Sequence, residues 1–149
     1  MRYRISRPIA GREGARVIAL DGGARAIIER LSPQPWGHSR YLSVAEHKGN
    51  AGERDSVSLL DIDGAVSSLA EEFAEADVVV MVATTDADAA AASIIGAVST
   101  SRAITTAGVV VGEGAAASQT VAVLRPHARV LVVSGHEEDI SDLLTALRA

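Results

Sequence analysis

The residues that could do chemistry fall in four short stretches. They are Asp21-Gly22-Gly23, Thr84-Thr85-Asp86-Ala87-Asp88, Gly112-Glu113-Gly114 and Ser134-Gly135-His136-Glu137. Each follows an apolar run and leads into a helical pattern, which is where an open α/β sheet gathers a ligand site. Asp86 and Asp88 could bind Mg²⁺ or an amine as a carboxylate pair, or cap and flank a helix N-terminus as first-turn acids. His136 could serve as a general base, or as a metal ligand with Glu137, or stand as a solvated first-turn histidine. Asp21-Gly22-Gly23 could bring backbone N–H groups close to a phosphate, or form a tight strand-to-helix turn with a residue at positive φ. In each case the local structural role is the favoured one. If the acids converge, the rim they form is negative; it would attract a divalent cation or an amine and repel free phosphate. His38 and His47, beside Trp36, Arg40, Lys48 and Arg54, could close over a ligand or form an interface anchored by Trp36.

Several familiar sites are missing from the sequence. No G-x-x-x-x-G-K-[ST] run occurs, so there is no Walker-type phosphate loop. No G-x-S-x-G elbow supplies a hydrolase nucleophile. No cysteine occurs and no histidines stand at metal-ligand spacing, so no metal site is predicted. Catalytic residues and cofactor stay unassigned. The ligand-binding candidates are Asp21, Gly22, Gly23, Thr84, Thr85, Asp86, Asp88, Gly112, Glu113, Ser134 and His136.

The elements that must position these residues are read from periodicity. Val78 to Ala83 is apolar at every position, and so is Val109 to Val111; strands with no alternation are covered on both faces. Between them Ala91, Ile94, Ile95 and Val98 repeat along one helix face, giving a right-handed β-α-β unit. Arg16 to Leu20, Arg40 to Val44 and Arg129 to Val133 read as further strands, and Val57 to Leu60 as a short one. Ala24, Ile27, Ile28 and Leu31 mark a first helix. Ile62, Val66, Leu69 and Phe73, capped by Asp61 or Asp63, mark a second. Ala117, Val121 and Leu124 line a helix closed by Pro126, and Ile140, Leu143, Leu144 and Leu147 line the last. The sum is α/β: a doubly wound, mostly parallel Rossmann-like sheet with helices on both faces. The strands beginning at Val17, Val78, Val109 and Val130 are predicted to be parallel neighbours or near-neighbours in one sheet, none on an edge with a face in water.

Composition bounds the rest. The 149 residues, nearly half apolar, make one domain, 1–149, with 1–15 as an extended arm. The net charge of −5 argues against a nucleic-acid surface. Four residues in all are Phe, Trp or Tyr, too few for a base-stacking platform. The N-terminus pairs no charged region with a long apolar run, and no apolar stretch approaches the ~20 residues of a membrane span. The expectation is therefore a cytoplasmic protein with no membrane partner. Arginine outnumbers lysine thirteen to one, which reads as base composition or as selection for anion binding. The Ala-rich helix from Ala87 to Val98 exposes small residues on more than one side, and a homo-oligomer, a dimer through that helix, is expected.

Residues 16 to 112 carry a family resemblance. Val17-Ile18-Ala19-Leu20-Asp21-Gly22-Gly23 resembles the opening strand and Gly turn of the tubulin-like cell-division GTPases. Ala76 to Ala83, the Ala-rich helix and Ile104 to Val111 resemble that family's central β-α-β, with a preceding helix from Ala65 to Ala76. The family's phosphate signature is a run G-G-G-T-G-T-G after the central strand; here Thr84-Thr85-Asp86-Ala87-Asp88-Ala89-Ala90 stands in its place. Two carboxylates there would repel a nucleotide phosphate unless a cation intervened. The resemblance thus implies shared architecture without GTP hydrolysis, and of the family's nucleotide contacts only Gly22-Gly23 carries over.

Three functions are compatible with these residues. The first is a non-catalytic binding or assembly module that self-associates or docks to a partner protein. The second is a small-molecule enzyme using Asp86, Asp88 and His136 as acid/base groups or Mg²⁺ ligands. The third is a nucleotide or coenzyme carrier, favoured by Arg25, Arg40 and Arg54 and opposed by the carboxylates.

Overall fold

The computed structural model describes residues 14–31, 40–44, 58–61, 64–74, 76–85, 87, 89–136, 138–140 and 142. Strand β1 (Ala15–Ala19) is buried at all five positions. Helix α1 (Gly22–Leu31) follows and turns Ala24, Ile27 and Ile28 inward. Then come β2 (Arg40–Val44), β3 (Ser58–Asp61), β4 (Val66–Ser68) and the short α2 (Leu69–Phe73). The central unit is β5 (Val78–Ala83), α3 (Ala89–Ser101) and β6 (Thr105–Val111). Helix α4 (Gly114–Leu124), a 3-10 turn (Arg125–His127) and β7 (Val130–Ser134) complete the sheet. Residues 138–140 and 142 are helical.

The seven strands lie in the order β4-β3-β2-β1-β5-β6-β7. Strands β2, β1, β5, β6 and β7 are parallel; β3 and β4 run antiparallel to their neighbours as a hairpin on the β2 side. The strands of Val17, Val78, Val109 and Val130 are therefore parallel neighbours, as their patterns predict. Two apolar clusters flank the sheet. One gathers Ile18, Leu42, Leu59, Phe73, Met81, Ile95 and Leu124 with α2, α3 and α4; the other gathers Val17, Val80, Val109, Ile28 and Ile140 with α1. Alternation within each strand explains the split: Val17 and Ile18 adjoin in sequence and face opposite layers. Within α3, Ile95 is fully buried and Ile94 only partly.

Three expectations are corrected. Val66 does not belong to a helix; it lies on β4 and is 69% exposed, and the helix is confined to Leu69–Phe73 with Ser68 as its cap. The cause is the turn before it. Gly64 adopts φ +88, its N–H donates to the Asp61 carbonyl, and the Asp61 N–H donates to the Ala65 carbonyl, so the turn at Gly64 belongs to a hairpin rather than a helix start, while Ile62 and Asp63 lie outside the described residues. The same hairpin replaces the first part of the helix implied by the family resemblance. Strand β7, read as covered on both faces, is an edge among the described residues, with Val130 49% and Val133 51% exposed. With one neighbouring strand it buries only the side chains that α4 and the last helical segment reach. Among the described residues no helix is long and apolar enough to cross a membrane. The N-terminal arm, Trp36, His38, His47, Lys48, Arg54, Asp86, Asp88, Glu137 and Leu143 onward lie outside the described residues, apart from Gly14 and Ala15 at the arm's end.

Candidate functional site

The order of the parallel strands reverses direction at β1 and β5: from β1 the chain goes outward to β2, then returns to β5 on the other side. That reversal leaves a crevice at the carboxyl ends of β1 and β5, where sheets of this kind take ligands. Asp21 and Thr84 stand there, and they are joined. One carboxylate oxygen of Asp21 accepts from the Thr84 backbone N–H at 2.7 Å. The other accepts from the Thr84 hydroxyl at 2.6 Å and from the Ala24 N–H at 2.7 Å. Asp21 therefore caps α1 and clasps the loop after β5 with one side chain.

Gly23 is explained by the same clasp. Neither Gly22 nor Gly23 is among the glycines at positive φ, so the turn does not require glycine for its dihedrals. A Cβ on Gly23 would lie 2.7 Å from the Thr84 hydroxyl, whereas one on Gly22 would meet nothing. The requirement at Gly23 is close approach to Thr84. The layer above adds one more tie. The Thr120 hydroxyl on α4 donates to the Thr84 carbonyl at 2.8 Å, beside its bond to the Ala116 carbonyl at 3.1 Å. Thr120 is 2% exposed, and the sequence marks it only as a polar residue on the inward face of a small-residue helix.

A second group forms at the ends of β6 and β7. The Gly112 N–H donates to the Ser134 carbonyl at 2.9 Å. The Glu113 carboxylate lies over Gly135, where a Cβ would meet its oxygen at 2.8 Å. The Ser134 hydroxyl accepts from the His136 N–H at 2.9 Å and bonds the Asp139 carboxylate. This is turn and helix-start chemistry. Ser134, His136 and Asp139 do not form a nucleophile relay: Ser134 pairs with the acid, and the His136 ring is exposed. Thr85 is exposed as well. The candidates thus divide into an Asp21–Gly23–Thr84 group and a Gly112–Glu113–Ser134–His136 group. Among the described residues no group of three His, Asp or Glu side chains could hold a metal ion.

Among the described residues, an ionic arrangement at the opposite, amino edge is not visible in the sequence. Glu72 on α2 is 7% exposed and Arg16 on β1 is 5% exposed. The Arg40 guanidinium donates to Glu72 at 2.6 Å and to Asp61 at 3.1 Å, and the Ser67 hydroxyl donates to Glu72 at 3.0 Å. Arg16 donates to the Glu72 backbone carbonyl at 2.9 Å and lies 3.6 Å from its carboxylate. The bond from Glu72 holds the Arg40 guanidinium above its ordinary pKa, against the opposing effect of partial burial. Arg25 pairs with Glu29 at 3.0 Å along α1. Two of the three arginines that favour an anion-carrier reading are therefore engaged with carboxylates, Arg40 at the edge away from the crevice.

Two clefts remain. One of about 470 Å³ runs along α4 beside β7, from Glu113 to Arg125. One of about 600 Å³ lies between α3 and the 3-10 turn, lined by Thr100, Thr106, His127 and Arg129. At its wall the His127 side chain packs on Gly96, where an added Cβ would lie 2.7 Å from the His127 Cβ and 2.8 Å from Nδ1, so His127 is a packing residue and not only part of the Pro126 turn. Comparisons with protein-family models, with curated proteins and with solved structures gave no match.

Proposed function

We propose that this chain is a cytoplasmic, non-catalytic binding or assembly module on a doubly wound Rossmann-like frame, a relative of the tubulin-like GTPases that does not hydrolyse GTP. One observation carries the reading: the carboxylate of Asp21 is spent on Ala24 and Thr84 in the crevice where the strand order reverses. A phosphate brought there would face an anionic acceptor, not a ring of free N–H donors, and the two interactions are opposite in sign. The doubly wound reading is supported by apolar clusters on both faces of the sheet.

The test is direct. Purified protein is incubated with GTP and Mg²⁺, and phosphate release is followed beside thermal unfolding. No release, and no nucleotide-dependent rise in Tm, is expected. GTP turnover that disappears in Gly23→Val, with the variant still folded, overturns the reading. Turnover untouched by that change points to a contaminating enzyme, and the assay is then repeated after a further purification step.

A further inference from the structure

The β7 edge is built to be covered. Its sequence, Val130-Leu131-Val132-Val133-Ser134, carries neither charge nor proline, two of the devices by which edge strands avoid pairing. The Ser134 carbonyl points at β6, where it accepts from Gly112. Backbone direction alternates along a strand, so the N–H and C=O groups of Leu131 and Val133 point outward. Three large hydrophobic side chains stand exposed among the described residues, and two of them, Val130 and Val133, are on this strand, one on each face. Beside Val133, the cleft of about 470 Å³ has a wall of small residues one helical turn apart, Gly114, Ser118 and Ala122. Glu113 closes its upper end and Arg125 its lower end.

We propose that a second copy of this chain covers this edge, β7 pairing antiparallel with β7 across a two-fold axis normal to the sheet. The geometry commits to this partner. Such an axis keeps both α4 helices on the same face and runs them antiparallel. Helix α4 packs on both β6 and β7, so its axis lies about half a strand spacing inside β7. The two-fold axis lies the same distance outside it. With strands ~4.8 Å apart, the two α4 axes fall about 10 Å apart, the separation at which helices with small facing residues pack. The rotation also brings the Arg125 end of each cleft against the Glu113 end of the other. Opposite charges thus meet twice, as an isologous interface requires. Outward-facing Leu131 exchanges both backbone bonds with Val133 of the other copy. Val132 then faces its own counterpart, and Val130 faces Ser134. The result is a continuous fourteen-stranded sheet, twice the seven strands of one chain. This names the partner of the assembly reading proposed above, with the interface at β7 and α4 in place of α3.

The chain has no cysteine, so a single introduced one reports the register. In the proposed pairing the two Val132 Cα atoms are about 4.5 Å apart, within disulfide range. Oxidised Val132→Cys should run as a covalent dimer on a denaturing gel, and Val130→Cys, facing Ser134, should not. In sedimentation equilibrium the native chain should dimerise. Arg125→Glu should weaken association at least tenfold, and Glu113→Arg combined with Arg125→Glu should restore it, each variant checked for native circular dichroism. A native chain that is monomeric at every concentration overturns the proposal. So does a dimer indifferent to both charge changes but lost in Ala97→Glu on α3. Nucleotide turnover is read separately: a monomer without turnover defeats only the interface, and a dimer with turnover defeats only the non-catalytic reading.

Discussion

Asp21→Ala tests whether the crevice clasp is structural. The substitution removes three acceptor contacts at once. Loss of the bond to the Ala24 N–H uncaps α1 and costs about 1 kcal/mol. The two Thr84 bonds run to an ionised acceptor, and each is worth about 1.5 kcal/mol at the lower end of the range, which suits a half-buried group. Water reaches part of the vacated space and recovers some of this, so a net loss of about 2–4 kcal/mol is expected. For a chain of this length that lowers Tm by about 5–15 °C. Urea unfolding followed by circular dichroism gives the number directly, since a change in midpoint at constant slope is a change in stability. Asp21→Asn sharpens the test. Its carbonyl oxygen can still accept from Ala24 and the Thr84 hydroxyl, but its amide would face the Thr84 N–H, donor against donor. About 1–2 kcal/mol should be lost despite near-identical shape. If Asp21→Ala is neutral or stabilising, the argument fails. A carboxylate held at a cost to stability marks a functional site, and the ligand readings of this crevice would then gain what the assembly reading loses.

Three further outcomes can be read by unfolding. Glu72→Ala removes a buried carboxylate bonded to Arg40 and Ser67 and 3.6 Å from Arg16, and should cost about 3–5 kcal/mol by chemical unfolding, whereas Arg40→Ala, at a half-exposed guanidinium, should cost no more than about 1–2 kcal/mol. The Tyr41 hydroxyl is buried with no hydrogen-bond partner, so Tyr41→Phe should be stabilising by about 1 kcal/mol near neutral pH. Burial also pushes the Tyr41 pKa up; the folded state holds the phenolic proton more tightly than the unfolded chain, so its contribution is full below pH ~10 and is lost as pH rises through the folded value. The alkaline fall in stability should therefore be shallower in Tyr41→Phe. Ala103 ends α3 at φ 55, with its own N–H on the Thr100 carbonyl and the Ile104 N–H on the Ser99 carbonyl, a left-handed cap that glycine suits better; Ala103→Gly should raise stability by about 0.5–1 kcal/mol in the same assay.

The uneven legibility of this chain has a physical cause. Val78 to Ala83 has no polar alternation, and a strand with that property has to lie between two helical layers; its central place in the sheet follows. Periodicity failed where one spacing served two structures. Val66, Leu69 and Phe73 repeat as a helix face does, but Asp63-Gly64 is also a hairpin signal, and the turn at Gly64 prevailed because its φ of +88 suits a tight reversal that a helix start does not need. Exposure of β7 was hidden for another reason. An apolar run states that burial is available, not that a neighbour supplies it within one chain, and the proposed β7 pairing would supply it from a second.

The candidate site was harder still, because its meaning lies in pairs. Asp21 meets Thr84 from 63 residues away, and Arg16 meets Glu72 from 56. Nothing local distinguishes an acid that caps its own helix and clasps a distant loop from one that waits for a cation. Both follow a strand, and both precede a glycine. Gly23 makes the point most sharply. The turn alone suggests a phosphate cradle or a backbone at positive φ. The structure gives it a third reason, the 2.7 Å that a Cβ would leave to the Thr84 hydroxyl. A glycine kept for a ligand and a glycine kept for a threonine across the sheet are identical in sequence. They differ in what a larger residue would do. Gly23→Ala should strain the clasp and lower stability whether or not any nucleotide is present, while a phosphate cradle would lose affinity first and stability second.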